Sequence, residues 1–293
     1  MTYTATRWNL DHLLPSAEPA EIEKAFKTIE RRVKKIEGWR KKLKNNIPAK
    51  AFEALLADYE AMQHDLLRLY YFVSLRFAGD TQDQGILALM SQVQQKLAYV
   101  QNRVLFFSLW WKDVDERNAA RLMKAAGDLG YWLEEMRHFK PHTLSEPEEK
   151  IINLKDVNGP RALETIYDTI TNKFVYNLEV EGEKKTLTRD ELSIYIRHAN
   201  PELRAAGYRE MYRVFSEQSA VLAQIYSYIV RDWRSENVEL RRFKTPISAR
   251  NLGNDIPDAV VDTLLKVVRD NAGVFQRYFR LKAKMIGAPG GKL

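Results

Sequence analysis

Residues 86–111 read ILALMSQVQQKLAYVQNRVLFFSLWW, with apolar side chains at Ile86, Met90, Val93, Leu97, Val100, Val104, Phe107 and Trp111. The steps alternate four and three, which keeps every one of these side chains on a single face of an α-helix. The spacing predicts one long helix from about Gln82 to Lys112. Leu89, Leu105, Phe106, Leu109 and Trp110 widen the stripe near its C-terminal end, so that end is expected to be almost entirely buried. A step near 3.5 also suits a coiled coil, but a face this broad and aromatic argues for packing within one chain.

Upstream, the same alternation recurs twice. Ile22, Phe26, Ile29, Val33 and Ile36 form the stripe of a first helix starting at Ser16 or Pro19. Leu55, Tyr59, Met62, Leu66, Leu69 and Val73 form that of a second, from about Ala49 to Ala78. Asn45-Asn46-Ile47-Pro48 and Gly79-Asp80-Thr81 are the turns. Turns this short join antiparallel neighbours. Ahead of them, Trp8 and Leu10 are expected to pin a short N-terminal segment to the core.

Downstream, Asp113 or Asp115 caps a fourth helix that ends near Gly130. The stretch Arg137 to Lys150, RHFKPHTLSEPEEK, then closes one block of helices and opens another. Pro141 removes a backbone donor and pushes Lys140 out of the helical region. Ser145, Pro147 and Glu148 form a capping box with proline in the first turn, starting a helix to about Asp156. After the turn Asn158-Gly159-Pro160, residues 161–172 are helical. Phe174, Tyr176, Leu178 and Val180 then alternate with more polar neighbours, Gly182 turns, and Lys184 to Leu187 returns, which is a β-hairpin. Thr188 with Glu191, and Asn200 with Pro201, open two further helices. The second runs to Glu217, and a near-continuous helix over 219–240 follows. Residues 243–255 are expected to be loop, and a last helix begins at Pro257–Asp258 with the stripe Val260, Leu264, Val267, Val274, Tyr278, Leu281 and Met285. The fold class is therefore mainly α: long antiparallel helical hairpins or a bundle, with one small β-hairpin near 174–187.

With 45% hydrophobic and 29% charged residues the chain has ordinary globular composition, and its 293 residues can bury a sizeable core. The absence of cysteine excludes disulfides and thiol catalysis. No apolar run is long enough to span a bilayer, and the N-terminus lacks a signal-peptide core, so a cytoplasmic location without membrane association is expected. The net charge of +7 is concentrated over 24–44, where Lys24, Lys27, Arg31, Arg32, Lys34, Lys35, Arg40, Lys41, Lys42 and Lys44 cluster. Such a stripe can bind phosphates. No aromatic platform accompanies it, so the expectation is a solvated helix face and no nucleic acid.

Chemistry is sparse. The histidines are His12, His64, His138, His142 and His198, and none is followed by glutamate. His138 and His142 are four apart, but Pro141 between them works against a shared helical face. No Gly-x-Ser-x-Gly is present. Adjacent acids such as Glu134/Glu135 and Glu148/Glu149 point in different directions on a helix. The expectation is no catalytic residue and no metal ligand in this chain. What remains is a basic cluster in and before the expected loop. There Arg241, Arg242, Arg250 and Asn251, with Lys244 nearby, are candidate substrate-binding residues able to hold a peptide carboxylate.

Several of these stretches resemble oligoendopeptidase F-type zinc metallopeptidases, which are related to thimet oligopeptidase. They are Trp8-Asn9-Leu10-Asp11, the Ala78–Thr81 break, Lys140-Pro141-His142-Thr143-Leu144-Ser145 through Lys150, Gly159-Pro160-Arg161-Ala162, the hairpin, and Arg204 to Phe215 with Asn251. The resemblance implies a mostly helical protein with two lobes around a deep channel, acting on short peptides. It implies a zinc ion in the full-length enzyme, activating water with a motif glutamate as general base. The His-Glu-x-x-His motif that carries this chemistry is missing here, so no cofactor is expected in this chain alone. Residues 1–200 are then expected to be an N-terminal helical lobe, and 201–293 the start of a peptidase domain cut before its zinc site. On this reading the missing partner is the C-terminal catalytic half. The alternative is a stand-alone helical binding or scaffold protein acting through its basic face.

Overall fold

The computed structural model describes residues 8–288 and 290; residues 1–7, inspected above for a signal peptide, and 289 and 291–293 of the tail lie outside the described residues. The fold is mainly α. Helix α1 (Pro19–Glu37) starts on its proline, and α2 (Ala49–Gly79) follows the turn at Pro48. Helix α3 (Gln84–Asp113) begins two residues later than its stripe required, because the Asp83 carboxylate takes the cap position and accepts from the amides of Gly85 and Ile86. Only four residues, 80–83, separate α2 from α3, so the two run back along each other. The stripes of all three helices meet in one core, where Val33, Ile36, Phe52, Leu55, Met62, Val73, Val93, Phe107 and Trp111 are fully or almost fully buried. Leu10 packs against this core, whereas Trp8 is 64% exposed. The segment is therefore pinned by the leucine and not by the tryptophan.

Helices α4 (Glu116–Ala125, capped by Asp115) and α5 (Gly130–His138) close the aromatic end of α3. Trp111 stacks on Phe52 at 5.4 Å and donates its Nε1–H to the Leu133 carbonyl at 2.8 Å. The junction 137–150 is bound along α3 and its neighbours. The Arg137 guanidinium donates to the Trp111 and Val114 carbonyls, each at 2.8 Å, and pairs with Glu116. Lys112 reaches Thr143, and the buried Asn102 side chain donates to the Lys150 carbonyl and accepts from Asn153. Helix α6 (Glu146–Asn158) begins with the expected Ser145/Glu148 capping box, and α7 (Pro160–Thr171) follows at once.

A second, smaller core gathers around strands β1 (Tyr176–Val180) and β2 (Glu183–Leu187). The strands pair antiparallel from Tyr176 opposite Leu187 to Val180 opposite Glu183. Their two-residue connection places Glu181 and Gly182 at φ +54° and +82°, the left-handed pair that suits the twist of a tight hairpin. Tyr176, Leu178 and Val180 point inward against α8 (Arg189–Ile196) and α9 (Pro201–Glu217), through Leu192, Leu203 and Val214. A hairpin this small gains its stability from those helices.

Helix α10 (Ser219–Arg234) passes directly into a π-helical turn over 235–240, so the helix is near-continuous to Leu240 as expected. Beyond it the structure departs from expectation twice. The region read as loop, 243–255, contains α11 (Pro246–Gly253), because Thr245 caps the Ser248 amide and Pro246 occupies the first helical position. The last helix is two, α12 (Asp258–Asp270) and α13 (Ala272–Met285). At the break the Asn271 side chain donates to the Val267 carbonyl, four residues back, in a stretch with Gly273 and low helix propensity.

The chain forms two compact units, one ending at Trp233 and the other beginning at Arg234. The division expected at 200/201 falls between α8 and α9, which share the hairpin's core.

Candidate functional site

The five histidines are distributed over the first unit rather than gathered. His12 lies in the N-terminal segment, His64 on α2, His138 at the end of α5, His142 in the short turn that follows, and His198 after α8. Among the described residues no group of three or more histidine, aspartate or glutamate side chains is placed to hold a metal ion. A zinc centre needs three or four such donors converging on one point. Among the described residues the donor set does not fit one.

The basic segment 24–44 is largely engaged with acids. Lys24 pairs with Glu21, Lys27 with Glu23, Lys34 with Glu30, Lys35 with Asp58, Arg32 with Asp65 and Arg40 with Glu146. Lys42 lies over the Trp39 ring at 4.6 Å. The stripe is a laced, solvated helix face.

The four candidate substrate-binding residues do not share one environment. Arg241 follows the π-helical turn, half-buried, and its guanidinium donates to Glu236 at 2.7 Å. Arg242 is exposed, with a left-handed backbone at φ +59°. Arg250 is an exposed position of α11. Asn251 is buried, and its amide donates to the Asp258 carboxylate at 2.8 Å, where Ser248 donates as well. Those hydrogen bonds, that from Asn251 first, hold the Asp258 carboxyl below its ordinary pKa. Asn251 thus ties α11 to the start of α12, a structural role that leaves its side chain engaged.

A concave site is found instead between α7 and α10. Leu222, Ile225 and Ile229 of α10 face Glu164, Tyr167 and Asp168 of α7 across a groove of about 470 Å³ in which Tyr226 also takes part. Desolvation at this wall raises the Asp168 carboxyl above its usual range. Apolar side chains, tyrosine hydroxyls and two carboxylates four residues apart can hold an extended chain with apolar and cationic groups. The stripe Leu222, Ile225 and Ile229 was legible, but its period marks an apolar face without saying that the face lines a groove.

Residues 110–176 match the family model described as Oligopeptidase F. The chain is 22% identical over 285 residues to the Oligoendopeptidase F homolog of Borreliella burgdorferi, covering 96% of this chain and 46% of that protein. It is 22% identical over 295 residues to Oligopeptidase PepF of Bacillus subtilis, covering 95% and 42%. The chain therefore spans less than half the length of these relatives. The crystal structure of oligoendopeptidase-F from Enterococcus faecium superposes with a TM-score of 0.76 at 17% identity, over 93% of this chain and 54% of that one. That of a putative peptidase from Chlamydophila abortus gives 0.59 at 17% identity. The matched segment 110–176 contains the junction, α6, α7 and the entrance to the hairpin, and so includes two of the stretches that carry the resemblance in sequence, Lys140 to Lys150 and Gly159 to Ala162. In sequence this chain is similar to oligoendopeptidase F-type proteins, and it shares the fold of the Enterococcus faecium oligoendopeptidase-F over 93% of its length.

Proposed function

We propose that this chain is the N-terminal, helical part of an oligopeptidase acting on short peptides, forming one wall of the substrate channel. Hydrolysis would fall to the catalytic half, which supplies the zinc site. The observation that supports this most is the sequence likeness to oligoendopeptidase F-type proteins through 96% of the chain, alongside a shared fold. On this reading residues 1–200 are the lobe and 201–293 the beginning of the peptidase domain. The α7–α10 groove, more than Asn251, offers a surface for peptide, with Arg241, Arg242 and Arg250 as further candidates for a peptide carboxylate. A cytoplasmic location is part of the same reading. Among the described residues no helix is long and apolar enough to cross a membrane. The pairing of the basic segment weighs against the scaffold alternative.

The test is metal analysis of the purified chain with a quenched-fluorescent peptide assay. The expected result is no stoichiometric zinc and no chelator-sensitive cleavage. Stoichiometric zinc with cleavage abolished by chelator overturns the reading. For the groove, Tyr226→Ala together with Ile229→Asp is expected to weaken binding of a labelled short peptide at least tenfold.

A further inference from the structure

In α12, Val260, Leu264, Leu265 and Val268 fall on one face, an arc of roughly 140° at 100° per residue. In α13, Val274, Tyr278, Phe279 and Met285 do the same over an arc of equal width. All eight of these side chains are 49–76% exposed. Neither of the two buried apolar clusters includes a residue of α12 or α13. Helices of 13 and 14 residues are marginal alone in water, and stand-alone proteins rarely expose contiguous apolar patches larger than a few hundred Å².

We propose that the apolar faces of α12 and α13 are a docking surface for a polypeptide: the portion of the oligopeptidase that this chain does not cover, presenting an apolar helical face with carboxylates. The inference rests on the reading under Proposed function and adds to it the surface through which the two parts join. Four observations choose this occupant. The relatives have more than half their length outside the match, enough to supply a covering layer. Helix α13 carries Arg277, Arg280, Lys282 and Lys284 and no acid; of these only Lys282 lies on the apolar side, so a second copy docking α13 on α13 would bring two Lys282 ammonium groups into one apolar interface. Lys282 lies within the apolar arc and has no acidic partner among the described residues, a position that calls for a carboxylate on the facing surface. Helix α12 carries Asp258, Asp262 and Asp270, unlike the basic polar face of a helix that lies on anionic lipid.

The test uses the full chain and, as probe, the segment of the Bacillus subtilis relative that has no counterpart in it. Sedimentation and titration are expected to give a 1:1 complex. Leu264→Asp with Phe279→Asp abolishes it with the far-UV spectrum retained, and Lys282→Glu weakens it at least tenfold. Three results overturn the proposal: a homodimer of the chain lost in the Leu264/Phe279 variant, binding to anionic vesicles lost in that variant, or no complex with the segment. A complex that forms through this face but cleaves no peptide overturns the peptidase reading and leaves the docking surface standing. Cleavage by a mixture indifferent to the three substitutions does the reverse.

Discussion

Arg137 shows how much a single side chain organises. Its side chain is 9% exposed, and it donates to carbonyls at the C-terminal end of α3 that have no partner within the helix. It also lies over the Trp111 ring at 5.5 Å. Arg137→Met removes both hydrogen bonds, leaving the Trp111 carbonyl only the 3.4 Å bond from the Val114 amide, and is expected to cost about 3 kcal/mol, read as a lowered urea midpoint with unchanged slope. Arg103 plays a different part on the exposed side of α3, clamping Glu30 and Glu37 of α1 at 2.6 and 2.7 Å. Its hydrogen bonds hold both carboxyls below their ordinary values. A carboxyl with a depressed folded-state pKa adds stability above its unfolded pKa, and that stability disappears as pH falls through the folded value. Arg103→Met is therefore less stable than the wild type at pH 7. The difference is expected to narrow steadily below about pH 4.5, the ordinary carboxyl value, in urea titrations across that range.

At the scale of elements, caps decide where helices begin. The Thr188 hydroxyl accepts from the Glu191 amide, and the Glu191 carboxylate accepts from the Thr188 amide at 2.7 Å. Thr188→Ala is expected to cost about 1 kcal/mol in thermal unfolding. The cost should be read in the hairpin as well, since α8 covers it. At the turn, Gly182→Val forces a β-branched side chain to φ +82° and is expected to destabilise by about 1–2 kcal/mol, although nothing lies within 4 Å of a Cβ there. Helix α11 shows why a cap can be overlooked. Thr245-Pro246-Ile247-Ser248 is a legible start, but the helix spans only eight residues and has no apolar stripe long enough to stand out. The break at Asn271 was hidden for the opposite reason: the apolar spacing continues across it.

At the scale of the molecule, apolar burial is uneven. The aromatic core under α1–α3 and the small core around the hairpin hold nearly all of the buried large side chains, whereas α12 and α13 contribute Ala283 alone to the buried set. Local opening is easiest where few apolar contacts must be broken. In native-state hydrogen exchange the amides of α3 are expected to open only with global unfolding. Those of α12 and α13 are expected to show protection lower by a factor of about 100 or more, rising when the proposed partner segment is added.

The fold class, the caps at Ser145, Thr188 and Asn200, and the presence of the hairpin were determined by sequence alone. Each depends on a local rule: helical or strand periodicity, or a side chain reaching an amide two or three residues away. Only tertiary structure decided that Leu222 and Ile225 face a groove, and that the stripe of α12 and α13, as regular as that of α3, meets water. It decided too that Asn251 braces Asp258, and that the cations of 24–44 are mostly paired with acids from α1, α2 and α6. The physical reason is that periodicity assigns an apolar or charged face to a helix, while what that face touches depends on residues distant in the chain.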